Sequence, residues 1–406
     1  MASTGPGDRD AVNPAGDGST TGDQKTDPYK DIVEAERAQS PELEKSGQNY
    51  GKIDKELAQY VSDTRIEISE EEDNRLRRLI DKRVLTIMIA TYFLQAIDKG
   101  TMSFASIMGI VKDTNLQGQE VSPPPPLPFR GPQLTSLSLQ YSWLTTCIYI
   151  TILIVEYPQN WLIARVRIGK YLSFSIMAWG IVLACTAACH NFTGLVTVRT
   201  LLGLFESVCQ PAFVVLSSTW YKREEQAARV TYWYMMNGAQ QMVGGLLAYC
   251  FSLIQPGGPL LSWQWLFLAY GVISVIYGAF VGWWMPDSPM RAKCFSEADK
   301  KLMVERVRSN QTGVQNREWK KHQAWEGFKD PQAWGYALIQ LCTTLPTSGL
   351  GSFQGIIIQS FGFTTLQTQL LAMVLGAYII IVLLSSAWLV KKTGQNLLVM
   401  LAFVIP

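Results

Sequence analysis

The chain offers little that a catalyst could use. It has no glycine loop of the kind that cradles phosphate, no triad-type arrangement and no nucleotide motif. Neither an enzyme nor an ATP-driven pump is expected on that ground, and neither nucleotide nor nucleic acid is expected as a partner. The seven cysteines (Cys147, Cys185, Cys189, Cys209, Cys250, Cys294 and Cys342) are scattered and lack zinc-type spacing, which argues against a disulfide framework. Histidine occurs twice. His190 adjoins Cys189, but two donors at a loop edge are too few to hold an ion, so no metal and no cofactor is expected. A charged-then-apolar leader is missing, and Ala2 stands where a myristoylation signal needs glycine. Insertion into a membrane would have to be directed by the first apolar span itself.

Apolar sequence, by contrast, is abundant: 48% of residues are hydrophobic. The mean hydropathy of +0.09 hides this, because a polar N-terminal stretch dilutes a very apolar remainder. Beyond Val84 the chain is mostly long apolar runs of bilayer-spanning length, which predicts an all-α polytopic membrane protein. Residues 1–68 are rich in Gly, Asp, Ser, Thr and Glu and are expected to form a disordered cytosolic tail. Ser69 with Glu72 makes a capping box. The following run, with Leu76, Leu79 and Ile80 among five basic residues, is either a basic amphipathic helix on the inner membrane surface or a solvated helical lead-in.

Spans are predicted at about Val84–Val111, Tyr141–Leu162, Tyr171–Cys189, Leu195–Trp220, Val230–Leu253 and Trp265–Met285. They form a six-helix N-terminal half over 69–285. A polar central loop covers 286–332, and spans at Ala333–Phe361 and Leu366–Val390 follow. The loops after the even-numbered spans carry Arg165, Arg167, Lys170, Lys222, Arg223, Arg229, Lys391 and Lys392, and the central loop is strongly basic. The alternate loops, 190–194, 255–262 and 362–365, have no Lys or Arg. The positive-inside rule therefore puts the N-terminus in the cytosol. Trp143, Trp161, Trp220, Trp263, Trp265, Trp283, Trp284 and Trp334 lie near predicted span ends, as an interfacial belt would.

The last apolar run, from Asn396, reaches Pro406 without a closing polar segment, so 333–406 is expected to be an incomplete C-terminal half. Residues 121–140 are a Pro-rich insert, either a linker or a retained intron. A Val codon begins with GT, a Gln codon can end in AG, and the insert is a whole number of codons.

One run concentrates the chemistry, from Arg199 to Pro211. A full charge at mid-membrane costs roughly 2.5–3.5 kcal/mol on insertion scales. Arg199 and Glu206 both sit in an apolar run, seven residues apart. That spacing puts them on one helix face, about 10 Å apart along the axis. Gly203 and Gln210 share the face, while Leu201, Leu204, Phe205 and Val208 point elsewhere. Such a stripe must face protein or water, and a solute pathway fits it.

Several strings carry a resemblance: AIDKGTMSFA (96–105), EYPQNWLIARVRIGK (156–170), RTLLGLFESVCQPA (199–212), WYKREEQA (220–227) and WWMPDSP (283–289). Together they resemble the major facilitator superfamily. Within it they are similar to the anion:cation symporter branch and its fungal allantoate permease-like transporters. The resemblance implies twelve spans in two six-helix halves, with the site between the halves at mid-membrane. It implies proton-coupled uptake of small organic anions at the plasma membrane. The expected range is allantoate, ureidosuccinate, small peptides and vitamin acids such as nicotinate or pantothenate. It also assigns a gating turn to Arg167, Gly169 and Lys170, although Val166 replaces the usual Asp.

For a carboxylate cargo, Arg199 supplies a planar fork that pairs through two bonds and stays charged. The alternative is a structural ion pair with Glu206 or a neighbouring helix. Lys99 lies about 22 Å along the first span. It could be a second anion contact, reach the outer interface, or pair with Asp98. Glu206 is the leading proton-coupling group, with Arg199 keeping it ionised until an anion competes. Asp98 is the next candidate, and Glu156 is expected to serve structure. Further pathway candidates are Asn237 and Gln241 in span 5, with Gln240 adjacent, and Gln340, Thr344 and Thr347 in span 7. Residues of this kind are more often helix-packing contacts than ligands. Pro346, with Gly349 and Gly351, suggests an unwound gating segment. Asn191 and Asn310 head glycosylation sequons, the first on a short outer loop and the second on the cytosolic side. A membrane sensor on the same fold, or an inactive truncated product, stands as the alternative to transport.

Overall fold

The computed structural model describes residues 68–114, 116, 139–254, 258–308 and 321–404, and among these there is helix and no strand. The expected tail, almost all of the Pro-rich insert and the Asn310 sequon lie outside the described residues. The helices are α1 (Glu70–Ile80), α2 (Thr86–Met108), α3 (Ile110–Asp113), α4 (Leu139–Ile163) and α5 (Ile168–Cys185). They continue with α6 (Phe192–Glu206), α7 (Cys209–Trp220), α8 (Arg223–Tyr234), α9 (Met236–Ser252) and α10 (Ser262–Trp284). After these come α11 (Glu297–Arg308), α12 (Lys321–Lys329), α13 (Pro331–Ser360), α14 (Thr365–Thr393) and α15 (Asn396–Val404).

Local chemistry explains the boundaries. The Ser69 hydroxyl accepts from Glu72 N at 3.3 Å and starts α1. Asp330 caps α13 ahead of Pro331, which has no N–H to lose at the first helical position. Thr364 and Gln367 cap α14 reciprocally, and Gly394 ends it at φ 67°. Asn191 Oδ1 accepts from Gly194 N at 2.9 Å, so the sequon asparagine serves as the cap of α6.

The predicted fourth span is two helices. Pro211 has no N–H to offer the Ser207 carbonyl and its ring crowds it, so α6 stops at Glu206 and α7 starts at Cys209. The fifth span likewise breaks at Met235, between α8 and α9. Pro346, however, does not unwind α13, which runs unbroken from Pro331 to Ser360. The first span, in which the polar string QAIDKG (95–100) is expected from the sequence to be an interruption, is continuous helix there in α2. The central loop contributes α11 and α12, which hydropathy alone does not suggest.

α1 settles its two sequence alternatives. It passes through a π-helical turn, Asp81–Leu85, directly into α2. Leu76 and Ile80 are buried, so its apolar face is spent on protein rather than lipid. Ion pairs then fasten it. The fully buried Arg306 of α11 bonds Asp73 at 2.8 Å and also reaches Glu225 of α8. Lys222 reaches Asp73 at 2.7 Å, Arg229 reaches Asp81 at 3.0 Å, and Arg75 bonds Asp299. Burial pushes the Asp73 carboxyl upward, but Arg306 and Lys222 together hold it below the ordinary value.

Among the described residues, four helical stretches are long and apolar enough to cross a bilayer on length and composition alone: Ile168–Ala188, Phe192–Trp220, Ser262–Trp284 and Thr365–Thr393. α2, α4, α9 and α13 are shorter or more polar, because they carry the inward-facing polar side chains described below. The aromatic belt is only partly present. Trp143, Trp161, Trp283 and Trp334 are exposed, but Trp220 and Trp263 are core residues. Trp263 Nε1 donates to Asp113 Oδ2 at 2.9 Å.

α5 and α10 pack most closely, where Gly180 and Gly271 face each other. A Cβ on Gly271 would lie 2.6 Å from the Gly180 carbonyl oxygen and from Ala184 N. Gly271→Leu is therefore expected to destabilise by roughly 1–3 kcal/mol or more, read as a lowered midpoint of thermal unfolding in detergent. Gly327→Ala, at a site with nothing within 4 Å, is expected to leave that midpoint unchanged or slightly raised.

Candidate functional site

α2, α4, α6, α9 and α13 enclose a cavity of about 180 Å³. Lys99 and Arg199 supply its positive charge, and Asn237, Gln240 and Gln241 supply amides. Hydroxyls come from Ser103, Tyr141, Thr145, Tyr149, Ser348 and Ser352.

Arg199 is 4% exposed. Its Nη2 lies 3.3 Å from the Met102 thioether, a weak acceptor, and its guanidinium carbon is 5.5 Å from the Phe267 ring centroid. Its Nε has no protein partner. Among the described residues, no carboxylate comes within ion-pair distance of this guanidinium. A buried cation in that condition is costly unless an anion visits it.

Glu206 is instead paired with Lys99, whose Nζ lies 3.2 Å from Oε1. This corrects the expectation that Arg199 holds Glu206 ionised. Sequence spacing placed Arg199 and Glu206 on one face correctly, and both are buried, but the cation that reaches the carboxylate comes from α2. Glu206 also closes α6, where the negative end of the helix dipole favours the ammonium. Lys99 keeps 36% of its side chain accessible along the cavity wall while Glu206 is fully enclosed. One ammonium thus serves both the cavity and the acid.

Asp98 is 1% exposed, and neither carboxylate oxygen has a protein hydrogen bond. It is not the partner of Lys99, because consecutive helical residues point about 100° apart. Glu156 is half-buried and has no ion-pair partner among the described residues. Val208, expected to point away from the buried stripe, is fully buried where the chain turns between α6 and α7.

The other expected contacts divide. Asn237 and Gln241 line the cavity. Asn237 Nδ2 donates to the Tyr92 hydroxyl at 3.0 Å, and Gln241 Nε2 to Gln354 Oε1 at 3.4 Å. Gln340, Thr344, Thr347 and Pro346 lie on an exposed face of α13, away from the cavity. Gln340 Nε2 is bonded to Thr344 Oγ1 at 2.9 Å, and Thr347 bonds back to the Thr343 carbonyl. One helical turn further along α13, Ser348, Gly351 and Ser352 line the cavity. Arg167 and Lys170 are exposed at the start of α5. Lys170 N donates to Asp287 Oδ1 at 3.3 Å, and Gly169 makes room for that carboxylate.

The hydroxyl lining went unnoticed in the sequence because no charge marks it. A signal was present: Ser103 stands four residues after Lys99, and Tyr149 four after Thr145, each at helical spacing. Lys99→Gln is expected to leave Glu206 buried without a cation and to destabilise by on the order of 3 kcal/mol. Adding Glu206→Gln should recover most of that loss. A double-mutant cycle on thermal unfolding measures it.

Comparison with known proteins agrees with this architecture. The profile of the Major Facilitator Superfamily matches residues 88–406. An uncharacterized transporter of Schizosaccharomyces pombe is 35% identical over 80% of this chain and 57% of its own length. The allantoate permease of Saccharomyces cerevisiae is 32% identical over 80% of this chain and 57% of its own. The thiamine pathway transporter of the same yeast is 32% identical over 83% and 60%. The chain therefore spans less than two thirds of these relatives. Among solved structures, a bacterial homolog of the human lysosomal transporter Spinster, inward-facing and unoccupied, superposes with a TM-score of 0.53 at 14% identity. That match covers 76% of this chain and 62% of the bacterial one. With the helices and their polar cavity in place, these matches make the chain a multi-pass membrane protein belonging to the Major Facilitator Superfamily.

Proposed function

We propose that the chain is part of a proton-coupled importer for a small organic anion, working by alternating access. The observation that carries this is Arg199: a guanidinium at 4% exposure on the wall of a polar cavity, with no carboxylate within ion-pair distance among the described residues. The resemblance to a yeast allantoate permease at 32% identity supports a ureido-carboxylate as cargo. The basic loops support a cytosolic N-terminus, and the turn at Arg167, Gly169 and Lys170, tied to Asp287, supports a hinge on the same side.

Coupling follows from the shared ammonium. With no cargo, Lys99 neutralises Glu206 across 3.2 Å. An anion arriving at Arg199 draws Lys99 toward the cavity. Glu206 then loses its cation inside an apolar surround, and its affinity for a proton rises. Anion and proton are thereby loaded together, and Asp98 stands ready as a second proton holder nearby in sequence. Gln340, Thr344 and Thr347, on the same helix as Ser348 and Ser352, are proposed as further contacts for the cargo along α13.

The test is calorimetric titration of the purified chain with allantoate near neutral pH, in buffers of different ionisation enthalpy. The proposal expects uptake of about one proton per anion bound, following the linkage of protonation to binding. Arg199→Gln should abolish binding. Glu206→Gln should retain binding and lose proton uptake. Binding by Arg199→Gln, or proton uptake retained by Glu206→Gln, would defeat it.

A further inference from the structure

The basic residues at the membrane end of α1 fall into two sets. Two are answered by carboxylates: Arg75 bonds Asp299 of α11, and Arg77 lies 3.9 Å from Glu225 of α8. Arg78, Lys82 and Arg83 have no carboxylate within ion-pair distance among the described residues. Arg78 and Lys82 are exposed and four residues apart, on the side of α1 opposite the buried Leu76 and Ile80. A surface recess follows that side, lined by Glu71, Asn74, Arg75, Arg78, Leu79 and Lys82. Its one acid, Glu71, stands about 16 Å from Lys82 along the axis.

A second observation fixes the depth of these cations. The Arg83 guanidinium carbon lies 3.9 Å from the centroid of the Trp284 ring, which closes the apolar α10. Phe280 stacks on Trp284 at 5.6 Å, and the neighbouring Trp283 is 78% exposed. The Tyr277 hydroxyl donates to the Ile87 carbonyl at 2.9 Å, which holds this end of α10 beside the start of α2. Aromatic rings at a span end with a cation on them mark the headgroup level. Lys82 and Arg78 stand about 3 Å and about 9 Å along the helix before Val84. The headgroup layer is roughly 5–8 Å deep on each side of a bilayer, so both side chains reach it. The apolar face of α1 is spent on protein, and its cations are left facing that layer.

We propose that Arg78 and Lys82 form a site for an anionic phospholipid of the cytosolic leaflet, whose headgroup phosphate lies between them. Arg78 takes two phosphate oxygens through its fork, and Lys82 adds a compact charge. A choline headgroup carries its own cation beside the phosphate and gains little there. The cytosolic leaflet is the anionic one, and the basic loops support that side for α1. The site is separate from the cavity, since α1 does not line it.

The experiment uses the full chain, purified in neutral detergent without cargo. Dissociation constants are measured by native mass spectrometry for dioctanoyl phosphatidylserine, dioctanoyl phosphatidylcholine and glycerophosphoserine, the headgroup without tails. The wild type is expected to prefer the serine lipid to the other two. Each cation near a charged membrane surface contributes about fivefold. Arg78→Gln with Lys82→Gln should therefore weaken the serine lipid about 25-fold and change the choline lipid less than about twofold. Lys391→Gln with Lys392→Gln removes the same charge elsewhere and should change neither. Equal wild-type affinity for the two lipids, no loss in the α1 variant, or an equal loss in the Lys391 and Lys392 variant would each overturn the proposal. Glycerophosphoserine binding as tightly as the lipid would overturn it in favour of a soluble phosphate ligand. If the α1 double variant does not fold, Lys82→Gln decides alone, with about a fivefold loss expected. Detergent has no sides and no cargo is present, so these outcomes are independent of the proposed orientation and of the anion site at Arg199.

Discussion

The Lys99–Glu206 pair is the constraint around which the rest of the cavity is arranged. Glu206 lies at the end of α6 because Pro211 breaks the fourth span just beyond it. Lys99 comes from the middle of α2, a helix that remains unbroken although it carries adjacent charges there. Neither ion is tolerable alone in a membrane interior. Joined, they leave one guanidinium over, that of Arg199, facing the same polar space. The cation left facing the cavity is a consequence of how two helices arrange four ionisable side chains, Asp98 and Lys99 on α2 and Arg199 and Glu206 on α6.

Two arginines show how differently one side chain can be used. Arg306 is wholly enclosed, yet it is met by two carboxylates, from α1 and α8, and knits the basic end of the bundle together. Arg199 is nearly as enclosed and is met by a thioether, an aromatic ring and a cavity. The first arrangement is satisfied within the protein and rigidifies it. The second leaves the Nε without a protein partner and the guanidinium on the cavity wall.

Much of the framework is legible in the sequence because apolar run length translates directly into helix length in a bilayer. Arg199 and Glu206 stand out there because any intramembrane charge does. Their partners do not, since which side chain of a neighbouring helix reaches a given carboxylate depends on rotation and depth. The sequence therefore assigned Glu206 to Arg199, when Lys99 of α2 holds it. In α13 the residues that line the cavity, Ser348, Gly351 and Ser352, come one helical turn after Gln340, Thr344 and Thr347. Trp220 and Trp263 resemble belt residues by position and are core residues by packing. Pro346 looked like a break, and α13 runs through it.

The central claim is that an anion binds at the wall formed by Arg199 and Lys99. The most direct measurement is an electron cryo-microscopy map of the chain saturated with an iodinated carboxylate. The account predicts the carboxylate within bonding distance of the Arg199 guanidinium, with Lys99 drawn from Glu206 toward it. A carboxylate bound elsewhere, with Lys99 still on Glu206 and Arg199 untouched, would contradict it.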